Sequence, residues 1–158
     1  GGASVGDHDL VRKVFVARGM ELDFWKIAMR PGKPLMFGRL DALRILGLPG
    51  NPVSALVCGL LFMNPLLQKL GGLPFSESRQ RAILDAAMPA NGGREDYIRA
   101  RAWRDETGIL RTKPFDLQDS SMISAFARSE ALLVRAPHAA AASAGEEVEI
   151  LPLKPAAL

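Results

Sequence analysis

The spacing of apolar and polar side chains divides the chain into two stretches with different periods. In residues 9–18 the apolar side chains of Leu10, Val11, Val14 and Phe15 recur at helical spacing, and Gly19 follows as a stop. Residues 21–29 are predicted to form one strand. Two short apolar runs, 35–40 and 43–48, flank Asp41-Ala42 and read as a hairpin or two neighbouring strands. Between the strand and these runs, Arg30-Pro31-Gly32-Lys33-Pro34 is a stiff turn, because two prolines fix φ around a permissive glycine. A second helix opens at Asn51-Pro52. Asn51 suits the N-cap, and Pro52 suits the first helical position, where a missing N–H costs nothing. The helix runs to about Leu70, with a kink or restart at Asn64-Pro65, and closes at Gly71-Gly72. Its first turns are apolar on nearly every side, so both faces are expected to be covered, a dimer interface being one candidate cover.

After Gly72 the pattern changes. Residues 73–78 read as a linker, and beyond them the period becomes two, in 81–88 and again in 96–103. Further strands are predicted at 109–115, 131–134 and 147–153, with turns at Asn91-Gly92-Gly93 and Glu106-Thr107-Gly108. A short helical turn is expected after Asp119-Ser120-Ser121, and residues 139–144 read as a low-complexity surface loop. The second stretch, 76–158, is therefore a small, mostly-β domain of about 80 residues. The first, 1–75, is α/β but incomplete as a parallel layer, since only one helix precedes its first strand. With no initiator methionine or apolar leader in Gly1-Gly2-Ala3-Ser4, the chain is expected to begin inside a larger protein.

Composition narrows the class. The chain is 48% hydrophobic and 23% charged, as suits a globular domain, and residues 53–63 are too short an apolar run to span a bilayer. Its 20 basic residues are scattered among 17 acidic ones, so no polybasic segment points to nucleic acid or a membrane surface. The single cysteine, Cys58, lies in the apolar helix and reads as a small buried hydrophobe; together with the absent leader it points to the cytoplasm. His8 and His138 have no metal-ligand spacing to each other or to Cys58. No Gly-x-Ser-x-Gly, Walker loop or dinucleotide fingerprint is present.

Three loops share a chemistry suited to oxyanions. Gly1-Gly2-Ala3-Ser4-Val5-Gly6-Asp7 opens a helix and offers free N–H groups, although such turns also exist for backbone geometry alone. The stiff turn carries Arg30 and Lys33, with Lys26 upstream; its bland alternative is a solvated basic turn. If residues 24–30 stay extended, Lys26 and Arg30 point to one side, about 13 Å apart. Pro49-Gly50-Asn51-Pro52-Val53-Ser54 supplies a helix N-terminus and a hydroxyl, which capping alone would also explain. In the β domain, Tyr97, Arg99, Arg101 and Trp103 alternate onto one strand face. That is ordinarily an exposed mixed face; single-stranded nucleic-acid binding is the weaker alternative.

Taken in order, Gly-Gly-Ala-Ser-Val-Gly-Asp, Phe24-Trp25-Lys26 through Arg30-Pro31-Gly32-Lys33-Pro34, and Leu48-Pro49-Gly50-Asn51-Pro52-Val53-Ser54-Ala55 resemble the MoeA-type molybdopterin molybdenumtransferases, a family that includes the gephyrin E domain. Asp96-Tyr97-Ile98-Arg99, Gln118-Asp119-Ser120-Ser121 and Gly145-Glu146-Glu147-Val148 match it more loosely. The resemblance spans essentially the whole chain but only about the last two-fifths of a family member. It implies a partial MogA-like three-layer molybdopterin-binding α/β domain followed by a small, mostly-β C-terminal domain. It further implies insertion of molybdate into adenylylated molybdopterin with release of AMP, assisted by Mg²⁺. Molybdate and phosphate groups both call for cations and N–H donors rather than a nucleophile.

By motif match, the resemblance assigns Arg30, Lys33, Pro34, Ser54, Arg99 and one of Ser120 or Ser121 to molybdate. Lys26, Pro49 and Pro52 match positions lining the cleft, with Gly50 and Asn51 in the same substrate-binding loop. Gly1, Gly2 and Ser4 match the loop receiving the substrate phosphate, and Asp9 an acidic position that assists the metal or adenylate release. Asp9, Lys26, Arg30 and Lys33 form the catalytic set. Implied partners are a second copy, as a homodimer of the full-length protein, and a MogA-like adenylyltransferase upstream in the pathway. Arg30 departs from the family's usual lysine, and Ser129-Glu130 from its usual Ala-Asn. The chain alone is expected to be inactive. A scaffold role, as in the gephyrin E domain, is the alternative; molybdopterin adenylylation is disfavoured by the attached β domain, and a generic phosphate-binding fragment remains.

Overall fold

A computed structural model describes residues 10–75, 78–116, 118 and 123–153, and divides the chain into two units, Gly1–Phe75 and Ser76–Leu158.

The first unit begins with α1 (Leu10–Ala17), which Gly19 closes at φ +93 while Met20 N–H donates back to Phe15 O at 3.0 Å. Strand β1 (Glu21–Trp25) pairs antiparallel with β3 (Met36–Leu40), which pairs antiparallel with β4 (Leu43–Gly47). The two apolar runs are thus a hairpin, joined at Asp41-Ala42. A bulge falls at Asp23, whose carboxylate takes both Nε and a terminal nitrogen of Arg39, at 3.2 and 3.1 Å.

The long strand expected over residues 21–29 does not form. It ends at Trp25 because Lys26 takes a left-handed conformation, φ 66, and only Met29–Arg30 (β2) is extended beyond it. Lys26 N–H donates to Leu35 O and Ile27 N–H to Lys33 O, each at 3.0 Å, so residues 26–35 fold back on themselves. The extended geometry that would have aligned Lys26 with Arg30 is therefore absent.

The second helix runs Pro52–Leu70 as α2 (Pro52–Cys58), a π turn (Gly59–Met63) and α3 (Asn64–Leu70). The π turn explains how the helix passes Pro65. Asn64 N–H reaches back five residues to Gly59 O, and this local widening makes room for a ring that would clash in a regular α-helix. By length and composition this one helix is apolar enough to cross a membrane, a consequence of not stopping at Asn64. Its Val53, Val57 and Cys58 are buried, as are Met29, Leu35 and Met36 of the first unit. The opposite face is not covered as expected: Leu56, Leu60, Met63, Leu67 and Leu70 are exposed at alternating spacings of four and three.

The second unit contains β5 (Gln80–Leu84), β6 (Glu95–Arg104), β7 (Leu110–Pro114), α4 (Ile123–Ala127), β8 (Ala131–Arg135) and β9 (Glu147–Pro152). These strands run in the order β6-β7-β5-β9-β8, and β8 pairs again with β6, closing a small barrel. All these pairs are antiparallel except β5 with β7. So few strands leave a narrow interior, which explains why Ala82, Ala100, Ala102 and Ala131 fill it beside Leu84, Leu133 and Ile150. The alanine-rich stretch 139–144 is a largely exposed loop, as expected, but it is pinned at one residue. Ala142 is buried and forms a bridge with Met88, the two main chains exchanging hydrogen bonds of 2.8 and 3.0 Å.

The β6–β7 turn is organised by Asp105. One carboxylate oxygen accepts from Thr107 Oγ1 (2.6 Å), Thr107 N–H (3.0 Å) and Ile109 N–H (3.1 Å); the other accepts from Arg111 Nε at 2.7 Å. The Thr107 hydroxyl first, and Arg111 next, hold this carboxyl well below the usual carboxylate range. A depressed folded-state pKa contributes stability that is present above the unfolded value, about 4, and is lost as pH falls toward the folded one. Asp105→Asn is expected to lower the neutral-pH stability of the second unit and to flatten its acid-side decline, read by urea titration of Trp103 emission. An unchanged pH profile would rule this out.

In the first unit, Gly32 has φ +121, and a Cβ there would lie 2.6 Å from both Cys58 Sγ and Met29 Cε. Gly32→Ala therefore combines backbone strain with overpacking and is expected to cost about 2–4 kcal/mol. Urea unfolding monitored at Trp25 checks it; an unshifted midpoint would contradict this packing.

Candidate functional site

The basic turn is built on a repeat of three. Met29, Gly32 and Leu35 are buried, whereas Arg30 and Lys33 between them are exposed, as is Lys26 upstream. The apolar anchors press inward and the cations are left outward. Leu35 N–H donates to Gly32 O at 3.0 Å, closing the turn, and the Arg30–Pro31 peptide is cis.

The anchor point is helix α2. Gly32 O accepts from the Cys58 thiol at 3.9 Å, and burial pushes that thiol up to about 12, so it stays protonated and able to donate. Cys58 is thus a packing residue, not a nucleophile. Ser54 lies four residues earlier on α2, on the same face and about 6 Å along the helix. The turn therefore rests on the helix face that carries Ser54.

That helix end is capped. Asn51 Oδ1 accepts from Ser54 N–H at 3.3 Å and from Ser54 Oγ at 3.5 Å, and Ala55 N–H donates to Asn51 O at 2.8 Å. Ser54 is buried, Pro49 is buried, Asn51 is half-buried, Pro34 is half-buried, and Gly50 and Pro52 are exposed. The Ser54 hydroxyl thus has a capping partner already, at a length near the outer limit for such a bond.

Lys26 is held differently. Its Nζ lies 3.9 Å from the centroid of the Trp25 ring, and the Arg12 guanidinium carbon lies 4.1 Å from the same centroid. The aromatic platform under Lys26 was not singled out in the sequence, where Trp25 reads as a strand residue.

In the second unit the expected exposed stripe on β6 is corrected. Tyr97 and Arg99 are buried, Trp103 is half-buried, and only Arg101 of the four is exposed. Alternation places these four opposite the interior Ala100 and Ala102, but other side chains lie against that outer face, Arg79 on Tyr97 and Gln118 on Arg99. Arg99 is fixed by Gln118, a residue the sequence reading left without a role. Gln118 Oε1 accepts from Arg99 N–H at 3.0 Å and from Arg99 Nε at 3.4 Å, while Gln118 Nε2 donates to Arg99 O at 2.9 Å and Phe115 O at 2.7 Å.

Gly1, Gly2, Ser4, Asp9, Ser120 and Ser121 lie outside the described residues. Among the described residues, no group of three or more His, Cys, Asp or Glu side chains is arranged to hold a metal ion. The described donor set does not fit a divalent cation.

Residues 1–69 match the family model described as "Probable molybdopterin binding domain", and residues 81–153 match that of the MoeA C-terminal region (domain IV). A molybdopterin molybdenumtransferase of Haemophilus influenzae is 38% identical over 154 residues, covering 96% of this chain and 38% of the relative. One from a Nostoc species is 39% identical over 107 residues, covering 62% of this chain and 24% of the relative. Among solved structures, the molybdopterin biosynthesis MoeA protein of Pyrococcus horikoshii superposes with a TM-score of 0.74 at 25% identity, covering 92% of this chain and 35% of that one. A molybdenum cofactor biosynthesis protein of Pyrococcus furiosus gives 0.70 at 29% identity, covering 90% and 53%. The chain thus spans little more than a third of the Haemophilus relative's length. Its fold is part of an α/β molybdopterin-binding domain followed by a small β-rich C-terminal domain. With both domains matched in that order, the chain belongs to the MoeA-type molybdopterin molybdenumtransferase family.

Proposed function

We propose that this chain supplies oxyanion-binding residues to a molybdopterin molybdenumtransferase, which inserts molybdate into adenylylated molybdopterin with release of AMP. The observation that supports the reading is the seat of the basic turn on α2: Gly32 is held at Cys58, and Arg30 and Lys33 on either side of it are exposed. Pre-placed cations lose little side-chain freedom when they capture an anion, and the N-terminus of α2 adds the positive end of its dipole. Lys26, Arg30 and Lys33 orient the dianion and offset charge; the substrate's own groups carry the chemistry. Mg²⁺, which the family resemblance implies, finds no donor set among the described residues, and no step is routed through it.

The family resemblance supports the rest of the reading. The full-length protein works as a cytoplasmic homodimer, and its adenylylated substrate comes from a MogA-like adenylyltransferase. The chain on its own does not turn over.

Each lost charge-assisted contact corresponds to about a tenfold to hundredfold loss of affinity. In the full-length protein, Arg30→Ala and Lys33→Ala are each expected to raise KM for molybdate by that order, measured by cofactor formation from adenylylated molybdopterin. Wild-type KM and kcat in both variants would remove the reading and favour a scaffold role.

A further inference from the structure

Strand β6 keeps one cation of its stripe at the surface, and β7 sets a second beside it. Arg101 lies directly opposite Lys113 in the β6–β7 ladder, on the face turned away from Ala100 and Ala102, and both residues are exposed. Opposed residues of an antiparallel pair have main chains only about 5 Å apart, and like charges there destabilise the pair.

Three other arginines of this unit meet carboxylates: Arg79 meets Glu149 at 2.8 Å, Arg81 meets Glu147 at 3.7 Å, and Arg111 meets Asp105 at 2.7 Å. Among the described residues, neither Arg101 nor Lys113 has an ion pair or a side-chain hydrogen bond. The acids nearest in register are turned elsewhere. Asp85, just after β5, gives its carboxylate to Arg111 at 3.4 Å. Glu130, just before β8, donates its N–H to Ala100 O at 3.2 Å, but one of its carboxylate oxygens is buried and meets no donor.

An aromatic ring borders the two cations. Trp103 follows Arg101 on the same face, about 7 Å further along β6, and is half-buried. The Arg101 guanidinium carbon lies 5.9 Å from the centre of its ring, near the outer limit of a cation–π contact. The indole therefore borders the guanidinium without occupying its N–H donors.

The size of this patch selects its ligand. Across the ladder from Trp103 stands Arg111, whose charge Asp105 and Asp85 offset. The uncompensated charge is thus confined to one facing pair. A nucleic-acid strand needs a track of cations and rings, one set for each nucleotide. Two cations and one ring suit a single phosphate with a single base attached.

We propose that Arg101, Lys113 and Trp103 form a mononucleotide site on the outer face of the barrel. The phosphate of a nucleoside monophosphate lies between the two cations, and its base lies against the indole. A dianion placed there converts the repulsion of the facing pair into shared attraction. None of these residues is assigned to molybdate above, so the site stands or falls apart from the basic turn.

The test is isothermal titration of the whole chain with adenosine 5′-monophosphate, with inorganic phosphate and adenosine as the two half-ligands. Saturable binding of the nucleotide is expected, weakened about tenfold or more by each of Arg101→Gln, Lys113→Gln and Trp103→Leu. Trp103→Leu leaves the weaker binding of inorganic phosphate within about twofold, because only the base has lost its contact. Arg81→Gln and the double variant Arg30→Gln/Lys33→Gln keep nucleotide affinity within about twofold. Both cation variants on the barrel unfold at urea concentrations no lower than the wild type, since each removes a repulsion.

Absence of saturable binding, or adenosine binding as tightly as its monophosphate, would overturn the proposal. So would wild-type affinity in the Arg101 and Lys113 variants, or a loss confined to the Arg30/Lys33 variant, which would put the nucleotide on the basic turn. Oligothymidylate binding about tenfold tighter than the mononucleotide, and lost in the same variants, would make this face a single-strand track instead. A lower urea midpoint with unchanged affinity would mark the pair as structural.

Discussion

The close approach of Gly32 to helix α2 is the constraint on which the first unit's candidate site depends. A side chain at position 32 has no space, because its first carbon would meet Cys58 Sγ and Met29 Cε at 2.6 Å. The backbone there also occupies φ +121, where glycine is favoured. Those two facts bring the turn down onto the helix and define which way everything around it faces. With Met29, Gly32 and Leu35 directed inward, Arg30 and Lys33 have only the outward direction left. The charge distribution of the loop is thus a consequence of packing. A well-packed contact under the loop is also what makes the cations stiff, since anchors buried every third residue leave little freedom between them.

The barrel solves a related problem with different parts. Its interior is narrow, so alanines share it with larger side chains such as Leu84, Leu133 and Ile150. Polar groups trapped at the ends of such a barrel need partners from outside the ladder. Asp105 is one answer, collecting three donors at one oxygen and Arg111 at the other. Gln118 is another, completing the main chain of Arg99 where β7 has ended. Asn91 is a third: its amide nitrogen lies within 2.8 to 3.0 Å of the carbonyls of Arg94, Arg135 and Ala136. Side-chain amides and carboxylates therefore close what the strands leave open.

The sequence made the local elements legible wherever one residue type has one geometric use. Asn51-Pro52 opened a helix, Gly19 closed one, and the runs on either side of Asp41-Ala42 paired as a hairpin. The strands of the second unit could be read from period two. What could not be read was set by tertiary contacts. Residues 21–29 look like one strand, yet Lys26 turns left-handed because its N–H and that of Ile27 pair with Leu35 and Lys33 across the loop. Arg99 alternates with its neighbours like an exposed residue, and it lies on the face opposite Ala100 and Ala102, but it is buried, with the Gln118 side chain against it. Ala142 looks like part of a featureless alanine tract until its pairing with Met88 is seen. At the candidate site, the cations of the turn and the helix start were visible as motifs. The Cys58 contact, the Trp25 platform and the Gln118 amide were not, since each acts through a partner distant in sequence or unmarked by charge.

The central claim is that a turn seated on α2 holds its cations for a tetrahedral dianion. Tungstate has the same charge and shape as molybdate and scatters X-rays anomalously, so a crystal structure of the full-length protein soaked with it gives the most direct test. The expected result is an anomalous peak about 4 Å from Lys33 Nζ, since the tungsten lies one bond beyond the oxygen that accepts the hydrogen bond. A peak remote from Lys33 and Arg30, or a turn found away from Ser54 and Cys58, would contradict it.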